Sequence, residues 1–201
     1  MSGCPLPLHV VSSTFCGHDE AVRASEVRWL TTLNQPARNA LIGGTFRSFP
    51  DHPPGRGEPT PLPDLATADP VFRTQRTRYE RGQQVADTMP DRILRDSGLV
   101  DVAREAADRH RQHAALAPTT GYAPTTCGGP QRTDRIYVTP GLRDAVRSVE
   151  VVDTVHEDDD AAATRTVSPH ALLLVRLDRA QMEHALTPGH RAVPTATRSP
   201  S

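Results

Sequence analysis

Short apolar runs, separated by polar turns, set out the elements of this chain. Leu8 to Ser13 (Leu-His-Val-Val-Ser-Ser) reads as a strand that leads into Thr14-Phe15-Cys16-Gly17. Asp19 has the side chain to cap a following helix, and the helix dipole favours Glu20 in its first turn. Val22, Trp29, Leu30 and Leu33 fall on one side of that helix, and Asn34-Gln35-Pro36 stops it. Ala40-Leu41-Ile42-Gly43-Gly44 is then a buried strand, so the segment predicts a βαβ-like crossover.

The middle of the chain is more broken. Residues 51–70 are rich in Pro, Gly and Asp and read as a loop insert. Thr74 to Gln84 sets Arg76, Arg78 and Arg81 beside Tyr79, a stretch open to two readings, nucleic-acid contact or solvated basic face. Pro90 to Ser97 predicts a short helix with Ile93 and Leu94 inward and Gly98 at its C-terminal cap. Asp101 caps a second helix, from Val102 to about His113, whose apolar face is Val102, Ala103, Ala106 and Ala107.

From Gly128 to Asp178 the pattern becomes strand-like. Ile136 to Val138, Ser148 to Val152 and Ala171 to Leu177 are three strands, and the last is apolar at nearly every position, as in a central strand covered on both faces. Asp134 enters the first of them and His170 opens the last. Between the second and third lies His156-Glu157-Asp158-Asp159-Asp160, whose consecutive carboxylates read as a solvated acidic turn or, taken alone, as a metal site. After Ala180 the pattern fades, and residues 181–201 are expected to form a disordered tail behind one domain spanning 1–180.

Composition narrows the picture slightly. All 23 basic residues among the 201 are Arg, and the net charge of -1 provides no global basic field for nucleic acid, which leaves only a local groove. Cys4, Cys16 and Cys127 are odd in number and lack CxxC spacing, so neither a disulfide framework nor a zinc site is supported. No run reaches the ~20 apolar residues of a membrane span, and the first residues lack a signal-peptide pattern, so a cytoplasmic protein is expected.

The strand Arg132-Thr-Asp-Arg-Ile-Tyr-Val138, followed by Ser168-Pro169-His170 and an apolar strand, resembles the end of the endonuclease/exonuclease/phosphatase family of metal-dependent phosphodiesterases. The family's second motif is Ser-Asp-His, and its Gly-Asp-Phe-Asn corresponds here to Gly44-Thr45-Phe46-Arg47. A His-Leu pair common in the family is replaced by Thr14-Phe15. The resemblance implies that His170 works as acid/base or phosphate ligand and that Asp134 orients it. It also implies that Thr14, Thr45, Arg47 and Pro169 are altered site positions, with Arg47 able to contact a phosphate through its guanidinium.

Such a relative has an α/β (α+β) fold of packed mixed sheets flanked by helices, and this sequence matches about one half of that four-layer sandwich. The resemblance covers residues 8–178 and begins in the middle of the family's pattern, without the opening half that carries a metal-binding Glu. No cofactor follows with certainty; magnesium or manganese is implied if the chain is active. Two classes of function stand side by side, a hydrolase with impaired catalysis and a non-catalytic phosphate-binding or regulatory remnant. The pair Asp134 and His170 is equally readable as a core histidine held by a carboxylate. A phosphate-ester or nucleic-acid ligand is implied, as is self-association or a partner that covers an exposed sheet face.

Overall fold

A computed structural model of the chain describes residues 6–36, 38–51, 62–120, 129–152, 155–156, 165–166 and 170–188. Its centre is a four-stranded mixed sheet. Strand β1 (Leu8–Thr14) runs parallel to β2 (Asn39–Thr45), and helix α1 (Glu20–Thr31) makes the crossover between them. Strand β6 (Asp134–Val138) pairs antiparallel with β2, and β5 (Val100–Asp101) pairs antiparallel with β6, for the order β1-β2-β6-β5.

The pleat of this sheet sorts its side chains between two cores. Ala40, Ile42 and Tyr137 join Val27 and Leu30 of α1 and Leu94 of α3 (Met89–Asp96). On the other side Leu41, Ile136 and Val138 pack with Val102, Ala106 and Ala107 of α4 (Val102–His110), and with Val149 of β7 (Val146–Val152) and Val175 of β10 (Leu172–Leu177). Gly44 is needed where β1 crosses close to β2, because a Cβ there would collide with the Ser13 carbonyl oxygen.

Several local signals act as their residue types dictate. The Asp19 carboxylate accepts the Ala21 and Val22 amides at 2.8 and 3.0 Å, and Asp101 accepts the Ala103 amide at 3.0 Å. Gly98, with φ 90°, ends α3 in a Schellman turn: its own amide reaches Arg95 O and the Leu99 amide reaches Leu94 O.

Four expectations are corrected. Val22 and Trp29 do not face the core but stand 46% and 65% exposed, while Arg23 is buried on α1 because Asp87 meets it there. The Arg-rich stretch after α2 (Pro70–Arg76) forms a hairpin, β3 (Thr77–Glu80) with β4 (Gln83–Ala86); Tyr79 and Arg81 are exposed as on a solvated face, but Arg78 is buried and paired with Glu80 at 2.7 Å. The last apolar run is not a central strand covered on both faces. β10 pairs with β7 alone among the described residues, and its burial alternates, so Leu172 and Leu174 point outward.

The fourth correction concerns residues 181–185, expected in the tail, which continue helix α5 (Arg179–Ala185). Asp178 caps it by accepting the Gln181 amide at 3.0 Å, and Met182 and Ala185 pack on the second core. The short strands β8 (Val155–His156) and β9 (Arg165–Thr166) pair antiparallel; the acidic run from 157 to 160 between them, Pro169, and residues 52–61 of the 51–70 insert lie outside the described residues. So do Cys4 and Cys127, while Cys16 is a free thiol. Among the described residues no helix is long and apolar enough to cross a membrane.

Candidate functional site

The ends of three neighbouring strands bring the site together. Thr14 closes β1 opposite Thr45 at the end of β2, and Thr45 is the cross-strand partner of Asp134 at the start of β6. Since side chains of paired residues project to the same face, these three positions lie in a row.

Asp134 is the hub. Its Oδ1 accepts the Thr45 hydroxyl at 2.5 Å, and its Oδ2 accepts the Thr119 hydroxyl at 2.8 Å. His170 Nδ1 lies 2.8 Å from the same Oδ2, with the Thr133 hydroxyl further off at 3.4 Å. A carboxylate only accepts, so Nδ1 carries the proton it donates, and a neutral His170 ring therefore keeps its lone pair on Nε2. The segment from 119 to 120 holds both partners in place: the Asp134 amide reaches Thr119 Oγ1 at 2.9 Å and the Ala171 amide reaches Thr119 O at 2.8 Å.

Next to this hub opens a cleft of about 140 Å³ lined by Thr45, Arg47, Phe49, Phe72, Arg76 and His170, with Thr120, Gln131 and Thr133 completing the wall. Arg47 follows β2 in the left-handed region at φ 54°, and its carbonyl accepts from Arg76 Nη1 at 3.2 Å. The same Arg76 atom reaches Gly17 O at 2.9 Å, which ties the loop after β1 to the loop after β2. Arg47 Nε is buried and meets no acceptor among the described residues. The cleft is thus cationic on two sides and apolar at Phe49 and Phe72, whose ring centroids are 6.4 Å apart.

The sequence singled out Asp134, His170, Thr14, Thr45 and Arg47; the structure puts Asp134, His170 and Thr45 in hydrogen-bonded contact and Arg47 on the wall of the same cleft. Thr119, Phe49 and Phe72 were missed, and Arg76 was raised only as part of a basic stretch. A threonine in a Pro-Thr-Thr turn carries no local signal, and Arg76 is one of three arginines in its stretch, so only the folded chain distinguishes them.

A divalent cation does not suit the described residues. Hard cations take about six or more oxygen ligands in a fixed shell. Here both Asp134 oxygens already accept hydroxyl or imidazole donors, and the other groups on the cleft wall are largely guanidinium, amide, aromatic and hydroxyl. Among the described residues no three His, Cys, Asp or Glu side chains come together where they could hold a metal ion.

Solved structures with a similar fold include an AP endonuclease from Archaeoglobus fulgidus, at a TM-score of 0.50 and 15% identity over 85% of this chain and 62% of that one. An endonuclease/exonuclease/phosphatase family protein from Bacteroides thetaiotaomicron matches at a TM-score of 0.47 and 14% identity, over 83% of this chain and 47% of that one. A 3'-5' exonuclease from Neisseria meningitidis matches at 0.47 and 18%, over 84% and 60%. The likeness to the archaeal enzyme establishes a shared α/β fold, and this chain spans less than two thirds of each of these proteins. No protein-family model and no curated protein matches the sequence.

Proposed function

We propose that the chain is a relative of the endonuclease/exonuclease/phosphatase hydrolases that binds phosphate esters in the cleft beside His170 and has lost or impaired hydrolysis. The observation that carries this reading is the His170 to Asp134 pair at 2.8 Å, placed at the edge of a cleft that Arg47 also lines. A buried histidine serving only the core would not need to stand 32% exposed beside two guanidinium groups.

Impairment follows from Thr45. Metal-assisted attack on a phosphodiester needs a cation to take up developing charge and a base to orient water. Thr45 brings a hydroxyl already given to Asp134, so neither task has a second carboxylate. What the pair retains is proton transfer through His170 Nε2, worth ~10²–10⁴-fold where a substrate is otherwise activated.

The test is turnover of plasmid DNA and of bis(4-nitrophenyl) phosphate with magnesium or manganese, against His170→Ala and against chelator. No cleavage above the His170→Ala control is expected, together with measurable binding of a phosphate ester. Metal-dependent turnover that is lost on changing His170 overturns the impairment; absence of any phosphate-ester binding overturns the whole reading.

A further inference from the structure

We propose that Thr119 is the positioning residue of this site: it fixes the Asp134 carboxylate so that a neutral His170 carries its proton on Nδ1 and keeps its lone pair on Nε2. The use of that lone pair in proton transfer rests on the reading above, whereas the positioning stands on geometry alone. Thr119 is fully buried, and it bonds to Asp134 through its side chain and to the residue after His170 through its backbone.

The hydroxyl makes two bonds to one residue. Oγ1 donates to Asp134 Oδ2 at 2.8 Å and accepts the Asp134 amide at 2.9 Å, so carboxylate and backbone of Asp134 are tied to the same atom. That closed ring of hydrogen bonds fixes the Asp134 side chain. Threonine is stiff at χ1, so its hydroxyl is not free to turn away. Thr45 holds the other oxygen, Oδ1, and Thr133 stands at 3.4 Å, which leaves Thr119 as the close hydroxyl that shares Oδ2 with His170.

The backbone of Thr119 fixes the other partner. Its amide reaches Gln131 O at 2.9 Å, just ahead of β6, and its carbonyl accepts the Ala171 amide at 2.8 Å, next to His170. Thr120 continues the contact, bridging to Gln131 on one side and His170 on the other. The segment is thus a spacer between the strand that Asp134 enters and the one that His170 opens. Those strands, β6 and β10, lie in different sheets, so the 2.8 Å contact between Asp134 and His170 has no shared ladder to hold it.

The experiment is nitrogen NMR of the full chain, without ligand or metal, at a pH high enough that the His170 ring signals no longer move. In the unmodified chain the Nδ1–H tautomer is expected in about tenfold excess or more, the scale of one hydrogen bond to a charged group. Thr119→Ser keeps both hydroxyl bonds and is expected to retain the excess. Thr119→Val keeps the shape, loses both bonds, and is expected to bring the excess below about threefold. Should the valine variant fail to fold, the unmodified chain decides: the Thr119 hydroxyl proton and the His170 Nδ1 proton, bound to one oxygen, are expected to be observable at low temperature and to show an NOE to each other. A retained excess in folded Thr119→Val, a lost excess in folded Thr119→Ser, or absence of that NOE overturns the inference and leaves the phosphate-ester reading standing. No ligand enters the measurement, so failure to bind phosphate esters overturns only the functional reading.

Discussion

Thr45 donates its hydroxyl to Asp134 Oδ1 at 2.5 Å, straight across the β2 and β6 pair. The family resemblance puts a carboxylate at position 45, which would face Asp134 at hydrogen-bond distance. Two carboxylates that close need a cation or a shared proton between them. Threonine needs neither, so the hydroxyl and the arginine-lined cleft are mutually consistent.

Thr45→Asp follows as the first prediction. One of the two carboxyls then holds a proton in the fold that it would lose in the unfolded chain. Stability must fall as pH rises through the carboxylate range, and the expected loss is about 1–3 kcal/mol at neutral pH. Urea unfolding at mildly acidic and neutral pH checks it; equal loss at both would mean a packing fault, not repulsion.

The buried Asp91 and Tyr137 pair makes opposite demands on pH. Burial opposes charge on Asp91, yet Arg135, Arg104 and Arg132, with the Tyr137 hydroxyl bonded to Oδ1, hold its carboxyl below the usual value. Stability from Asp91 is therefore present above its unfolded pKa, about 3.9, and is lost as pH falls through the lower folded value. Burial raises Tyr137 well above its ordinary pKa, and the Asp91 charge adds to the effect. Its contribution is present below about pH 10 and fades as pH rises through the folded value. Asp91→Asn should flatten the acid limb, and Tyr137→Phe should flatten the alkaline limb while costing about 1–3 kcal/mol for the hydrogen bond lost at Asp91. Unchanged limbs in denaturation series at several pH values would contradict this.

Arg23 and Asp87 meet at 2.7 Å with side chains 0% and 1% exposed. Arg23 also donates to Cys16 O at 2.8 Å, so the pair joins α1, the loop after β1 and the end of β4. Asp87→Ala leaves a buried guanidinium uncompensated and should cost about 3–5 kcal/mol. The double variant Arg23→Met with Asp87→Leu should be more stable than Asp87→Ala alone; a double variant that is less stable would show that the contacts to Cys16 O outweigh the charge.

Leu172 and Leu174 stand 58% and 39% exposed on the outer side of β10. An apolar strip of this kind promotes self-association or partner binding. Leu172→Gln with Leu174→Gln should reduce binding of an apolar dye and shift the sedimentation profile toward monomer, with stability within about 0.5 kcal/mol per change of the parent. Unaltered dye binding and a sedimentation profile that does not change would show that the outer side of β10 is not a self-association surface.

Much of the fold was readable locally. The βαβ crossover, the Asp19 and Asp101 caps, the Gly98 turn and the apolar face of α4 are encoded within a few residues of where they act. So was the Asp134 and His170 pairing, through a motif resemblance and not through spacing, since 36 residues separate them.

What the sequence by itself determined, then, is everything that depends on near neighbours: periodicity, capping, and which residue types close each strand. The tertiary structure decided which face of α1 is buried, because Arg23 becomes a core residue only when Asp87 arrives from 64 positions away. It likewise turned an Arg-rich stretch into a hairpin, carried α5 past Ala180 onto the second core, and joined Arg47, Arg76, Phe49 and Phe72 in one cleft. Buried charge and convergent side chains are stabilised by partners distant in sequence, and no local pattern records where those partners will be.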